Sequence, residues 1–116
     1  MNMSRLARGG EIRKSQLSEL QKKFVELMAD IQFGRIESLH VSLGQPVLHP
    51  KPRIIRTLKF GNRNEPHNPT AAKDYVLRSP ITELLSELES VGNGIIERIE
   101  IAQGLPWVCD LQYTPK

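Results

Sequence analysis

"GRIESLHVSLGQP" occupies residues 34–46 and "GIIERIEIAQGLP" occupies residues 94–106. A shift of sixty residues lays Gly34 on Gly94, Ile36 on Ile96, Glu37 on Glu97, Gly44 on Gly104 and Pro46 on Pro106. It also lays Leu39 on Ile99 and Val41 on Ile101. Carried backwards, the same shift pairs Phe24 with Leu84, Val25 with Leu85, Met28 with Leu88 and Ile31 with Val91. Apolar positions and turn residues match while exposed ones do not, which is the trace a duplicated structural unit leaves.

Each copy has the same internal order. Leu17, Leu20, Phe24, Leu27, Met28 and Ile31 recur at helical spacing, with Lys22, Lys23, Glu26 and Asp30 on other sides, so the first copy opens with a helix capped at Ser15 and stopped by Gly34. The period then drops to two, with Leu39, Val41 and Leu43 alternating against Ser38, His40 and Ser42. Three prolines, Pro46, Pro50 and Pro52, mark an irregular connection, and a second alternating run covers residues 53–60. In the second copy Ser79 is a cap, Pro80 suits the first helical position, and Ile81, Leu84, Leu85, Leu88 and Val91 form the buried stripe. Strands follow over residues 94–102 and 106–113, the last alternating Trp107, Cys109, Leu111 and Tyr113 against Val108, Asp110 and Gln112.

One αββ unit has a single apolar face and nothing to cover it. Two units side by side predict an α+β fold: a tandem αββ-αββ repeat forming a four-stranded antiparallel sheet, with two helices packed on one face and a pseudo-two-fold axis between the halves. The expected organisation is a single domain over residues 1–116. It divides into a flexible basic tail (1–14), a first unit (15–60), a linker loop (61–78) and a second unit (79–116).

A chain of 116 residues buries roughly 65% of the surface its unfolded form exposes. Its 39% hydrophobic and 25% charged residues are those of an ordinary globular protein. Cys109 stands alone, which excludes an internal disulfide and points to a reducing compartment. No apolar run approaches the roughly 18 residues of a membrane span, and the N-terminus lacks the apolar centre of a signal peptide, so the expected location is cytoplasmic. Charge is uneven. Residues 1–60 hold 11 Lys or Arg against 5 Asp or Glu, and residues 79–116 hold 2 against 6. Such asymmetry attracts polyanions to one half, or lets molecules associate basic half to acidic half.

Glu37 and Glu97 invite an acid–base reading because the repeat duplicates them. A carboxylate accepting backbone N–H bonds or facing an arginine at a helix-to-strand junction accounts for them as well. Strict alternation would put Glu37 and Glu97 on the side of Leu39 and Ile99, which a bulge near the glycine would relieve. Cys109 is expected as a small core residue of its strand. His40, His49 and His67 are 9 and 18 residues apart, without the spacing of a metal site. No glycine loop opens a helix to cradle phosphate. No catalytic residue, metal or cofactor is therefore expected, and no small-molecule substrate.

The basic run is the more distinctive feature. Lys51, Arg53, Arg56, Lys59 and Arg63 fall within thirteen residues with no acid among them, a pattern that contacts nucleic acid or an acidic protein through salt-dependent charge pairing. Only Phe60 is available within it for base stacking, and lysines and arginines also protect an edge strand from aggregation. The uncovered face of the sheet is the second candidate. Its contact residues include His40 and Arg98, with Ser38, Ser42, Thr57, Lys59, Glu100, Asp110 and Gln112 around them and Ile55 and Val108 as apolar members. Such a face meets water or stacks on another sheet as a homodimer. The expected function is thus a small non-enzymatic binding module using the basic strand. The alternative is a structural or regulatory protein acting by protein contact or homo-oligomerisation through the open face.

Phe33 and Gly34, the run over residues 36–43, Gly44, and the basic strand over residues 54–59 together resemble the small uncharacterised YezD-like bacterial proteins. The resemblance covers residues 20–60, with a weaker echo over 80–113. It implies an αββ unit and brings no activity. The proline-rich stretch at 46–52 and the tandem second unit are departures from that family's pattern.

Overall fold

Ser18 sets the start of the first helix. In the computed structural model, which describes residues 12–61 and 76–112, the Ser18 hydroxyl accepts from the Gln21 N–H at 3.1 Å. The Ser18 N–H in turn donates to Gln21 Oε1 at 3.0 Å. This reciprocal capping box satisfies two of the donors a helix start leaves open. It corrects the cap expected at Ser15, which lies instead in a 3₁₀ turn, Lys14–Gln16. Three residues after Ser15 stands Ser18, too short to reach back, whereas three after Ser18 stands Gln21. Helix α1 spans Glu19–Ile31. Helix α2 spans Ser79–Val91, with Arg78 as an extended N-cap that makes no side-chain cap bond. Ser79 is therefore the first helical residue and Pro80 the second, still inside the turn where a missing N–H goes unnoticed.

Five strands make one antiparallel sheet: β1 (Phe33–Ser42), β2 (Gln45–Val47), β3 (Arg53–Arg56), β4 (Gly94–Ala102) and β5 (Leu105–Gln112). β1 and β4 lie at the centre and β5 flanks β4, while β2 and β3 follow one another along the other side of β1. The expected count of four strands is corrected to five. Between the pairs His40 with Val47 and Glu37 with Arg53, residues 48–52 stand opposite only residues 38 and 39. Pro50 and Pro52 have no N–H to give to the ladder, so the strand breaks there. β3 also stops at Arg56, short of the expected residue 60. The Thr57 N–H donates to the carbonyl of Phe33 at 2.7 Å, and Phe33 is where β1 begins.

The helices end alike, at Gln32 and Gly92, both with positive φ, each returning its N–H to the carbonyl four residues earlier. The hairpin turns are alike as well. Leu43 and Gly44, then Gln103 and Gly104, all have positive φ, the two-residue turn whose twist suits a hairpin. The Gly44 N–H donates to the Gly92 carbonyl at 2.7 Å, and the Gly104 N–H to the Gln32 carbonyl at 2.9 Å. Each turn is thereby tied to the end of the helix from the opposite half of the chain. A Cβ on Gly44 would sit 3.2 Å from the Glu89 Cα, and one on Gly104 would sit 3.4 Å from the Ala29 Cα. This close approach and the positive φ together account for glycine at both positions.

Ser38 has a positive φ, and across it β1 turns Ile36, Leu39 and Val41 all to the core. A register shift between Ile96 and Arg98 does the same for Ile96, Ile99 and Ile101 in β4. These residues form one cluster with Phe24, Val25 and Met28 of α1 and Leu84, Leu85 and Leu88 of α2. Both helices therefore cover the same face of the sheet. Ile12 and Leu17 join this cluster, the Ile12 carbonyl accepts from the Leu77 N–H at 2.8 Å, and buried Lys14 reaches Glu26 at 2.6 Å. Residues 12–14, expected in the tail, are anchored to the body by these contacts. The rest of the tail and residues 62–75 of the linker lie outside the described residues. Among those described, no helix is long and apolar enough to cross a membrane.

Candidate interaction surface

Residues directly opposite on neighbouring strands share a face of the sheet, so the pairing registers define the uncovered side row by row. One row runs Arg53, Glu37, Arg98, Asp110 across β3, β1, β4 and β5. The next runs Ile55, Arg35, Glu100, Val108 across the same strands. Beyond Ser38 a third runs Val47, His40, Ile95, Gln112, with β2 in the place of β3.

The first two rows are knitted by ion pairs. Arg35 Nε donates to Glu37 Oε2 at 2.7 Å, and Arg53 Nε lies 3.5 Å from Glu37 Oε1. Arg98 holds two carboxylates, Glu100 at 3.1 Å through Nη1 and Asp110 at 2.8 Å through Nη2. Its Nε is buried and has no partner among the described residues. The hydrogen bond from Arg35, with the charges of Arg35, Arg53 and Arg98, holds the Glu37 carboxyl below its ordinary range against the opposing effect of burial. Ion pairs at such half-exposed, solvent-screened positions add little to the stability of a fold. Their chief consequence is a patterned surface in which plus and minus alternate across the sheet.

The residues expected to bind nucleic acid or an acidic partner are dispersed by this geometry. Arg53 lies on the open face beside Glu37, whereas Arg56 stands opposite Gly34 in the row that faces the helices, exposed at its edge. Lys51 is exposed ahead of β3. Lys59 follows it with its Nζ 4.9 Å from the centre of the Phe33 ring, and Arg63 lies outside the described residues. Of the expected open-face residues, His40 is exposed and Arg98 is the hub of the ion-pair lattice. The residue that the sequence reading overlooked is Arg35. Its place two positions before Glu37 on an alternating strand was the available signal. Glu37 and Glu97 are not brought together as an equivalent pair: Glu37 opposes Arg98, whereas Glu97 is exposed at the register shift of β4.

Cys109 is exposed, which corrects the core position expected for it. It does share the helix-facing side with Ile99, but β5 is the outermost strand and α2 does not close over it. A groove of about 700 Å³ runs there, lined by Pro80, Leu84, Glu87, Trp107 and Cys109 among others. Partial desolvation, with Asp110 and Glu87 nearby, pushes the thiol up from its ordinary range, away from a reactive thiolate. Trp107 is the extra residue of a bulge between the pairs of Ile101 with Pro106 and Glu100 with Val108, and it is 68% exposed. Among the described residues, no three His, Cys, Asp or Glu side chains gather as metal ligands would. Comparison with family models, with curated proteins and with solved structures returned no match for this chain.

Proposed function

We propose that the protein is a small non-enzymatic interaction module whose working surface is the open face of its sheet. The carrying observation is that the two helices cover one side of the sheet only. The other side is a lattice of half-exposed ion pairs with Ile55, Ile95 and Val108 set among them. What supports the reading is that charges set across such a face steer and select a partner while the interspersed apolar side chains offer area to bury. The test is carboxyl footprinting. Glu37, Glu100 and Asp110 should react with a water-soluble carbodiimide more slowly in the native cell than in dilute purified protein, and equal reactivity would remove the open face as the contact surface.

The body is further read as two αββ units of the kind the YezD-like resemblance implies, turned about an axis between β1 and β4. Six of the eight residue pairs along those two strands support this, because exchanging partners and shifting each by sixty gives another pair of the same ladder; Phe33 with Ala102 and Glu37 with Arg98 have no such counterpart. Gly34 with Ile101 becomes Val41 with Gly94, and Ile36 with Ile99 becomes Leu39 with Ile96. The reciprocal bonds of Gly44 to Gly92 and Gly104 to Gln32 obey the same rule.

A second reading, binding of a polyanion through the β3 side, is supported by the exposure of Lys51, Arg53, Arg56 and Lys59 and by the absence of any acidic residue from residues 38–61. Electrophoretic mobility of mixed DNA and RNA at two salt concentrations tests it. No retardation at low salt ends this reading, and retardation unchanged by Arg53→Ala with Arg56→Ala means that another surface carries it.

A further inference from the structure

The charge pattern of the open face is its own complement. Read from β3 to β5, the first row is plus, minus, plus, minus: Arg53, Glu37, Arg98, Asp110. Read backwards it is minus, plus, minus, plus. The second row, Ile55, Arg35, Glu100, Val108, is apolar, plus, minus, apolar, and its reverse likewise sets minus against plus and apolar against apolar. A two-fold axis parallel to the strands, over the seam between β1 and β4, lays each row on its own reverse. We infer that the partner of the open face is a second copy of this chain, stacked sheet on sheet about that axis. This rests on the reading of the open face as the contact surface.

Across such an interface Glu37 opposes the Arg98 of the other copy, Arg35 opposes Glu100, Arg53 opposes Asp110 and Ile55 opposes Val108. Each contact occurs twice, as a closed two-fold requires. In the third row His40 meets Ile95 and Val47 meets Gln112, which sets no like charges together. Aligned sheets stack about 10 Å apart and cross at about 30°. The four central residues, nearest the axis, therefore hold their register best. An axis perpendicular to the strands, passing between the first two rows, also opposes the central charges. It sets Arg53 on Ile55 and Asp110 on Val108, however, burying charges against apolar groups. The outer columns therefore select the axis along the strands.

Sedimentation velocity over a range of concentrations should give a dimer for the wild type, and a monomer persisting to millimolar concentration overturns the inference. Arg98→Glu and Glu37→Arg each set like charges across the interface and should raise the dimer dissociation constant by about tenfold or more. Mixed in equal amounts, the two variants should recover wild-type affinity, because Glu37 of the first then meets Arg98 of the second and the new glutamate meets the new arginine. Repulsion within either monomer is untouched by mixing, so recovery reports the intermolecular contact alone. Under the perpendicular axis Glu37 would face Arg35, and mixing would rescue nothing. If a single variant fails to fold by circular dichroism, the double variant Glu37→Arg with Arg98→Glu serves instead. It should dimerise with itself and refuse the wild type, and free mixing with the wild type overturns the arrangement. A monomer whose footprint is nonetheless protected in the cell defeats this inference and leaves the open-face reading standing. A dimer indifferent to all of these changes, with an unprotected footprint, defeats both.

Discussion

The two hairpins begin with the same turn and pairing and then part. Val41 pairs with Pro46 and Ser42 with Gln45 in the first, as Ile101 pairs with Pro106 and Ala102 with Leu105 in the second. From there β5 absorbs one extra residue, Trp107, and continues to Gln112, whereas the first hairpin gives up five residues to a proline-rich break before β3 resumes. The halves differ just as much in what they carry at the sheet's margins: Arg53 and Arg56 on β3, Asp110 on β5. Residues that close the core and the turns agree between the halves, because both obey the same packing. Residues at the margins are free of that demand, and there the chain has placed opposite charges that turn one face of the sheet into a surface complementary to itself.

Matched substitutions test how far the agreement goes. Ile36→Ala and Ile96→Ala each empty a fully buried position at the centre of the sheet and should each cost about 3 kcal/mol in chemical denaturation; a difference larger than about 1.5 kcal/mol would mean that the two halves of the core are not equivalent. Gly34 and Gly94, although aligned by the shift, should differ. A Cβ at Gly34 would overlap the Ile55 carbonyl oxygen, and its φ is +151°, whereas at Gly94 the nearest atom is the Val91 Cγ1 at 3.1 Å. Gly34→Ala should therefore cost roughly 2–3 kcal/mol and Gly94→Ala under about 1 kcal/mol, and equal losses would contradict the close approach of β3. The helix starts should differ in the same sense. Ser18→Ala removes a capping box and should lower stability by about 1 kcal/mol, while Ser79→Ala, at a helix start with no side-chain cap bond, should change it by only a few tenths.

The smallest expected effect is a pH dependence. Glu37 faces Arg35 on its own strand, Arg53 on β3 and Arg98 on β4, and its folded carboxyl titrates below the ordinary carboxylate range. A depressed folded value means that its contribution is present above the ordinary carboxylate range and is lost as pH falls through the folded value. Thermal melts from neutral pH to pH 3 should therefore show the wild type losing more stability on acidification than Glu37→Gln. Parallel curves would show that the arginines around Glu37 do not favour its ionised form.

Most of the fold was legible because it depends on local regularities. The stripe of Phe24 and Met28 and that of Leu84, Leu85 and Leu88 follow from helical spacing, and the turn glycines Gly44 and Gly104 stand where the period-two runs break. The misreadings occur where a local rule needed a partner from elsewhere. Ser15 satisfied the composition of a cap and lacked a Gln three residues on. Residues 57–60 alternated as a strand does and had no neighbour left once β1 had ended. Cys109 had the alternation of a core residue, but on a strand at the margin of the sheet, where no helix closes over it.

What the sequence by itself determined is the α+β body: two amphipathic helices, strands at period two and glycine turns in matching places, because hydrophobic spacing and backbone freedom are properties of neighbouring residues. Only the tertiary structure decided which face of the sheet stays uncovered and how its charges are arranged. The alternation of Arg53, Glu37, Arg98 and Asp110 is spread over four strands separated by as many as 73 positions along the chain. It exists only once hydrogen-bonded registers and two bulges have set those residues side by side.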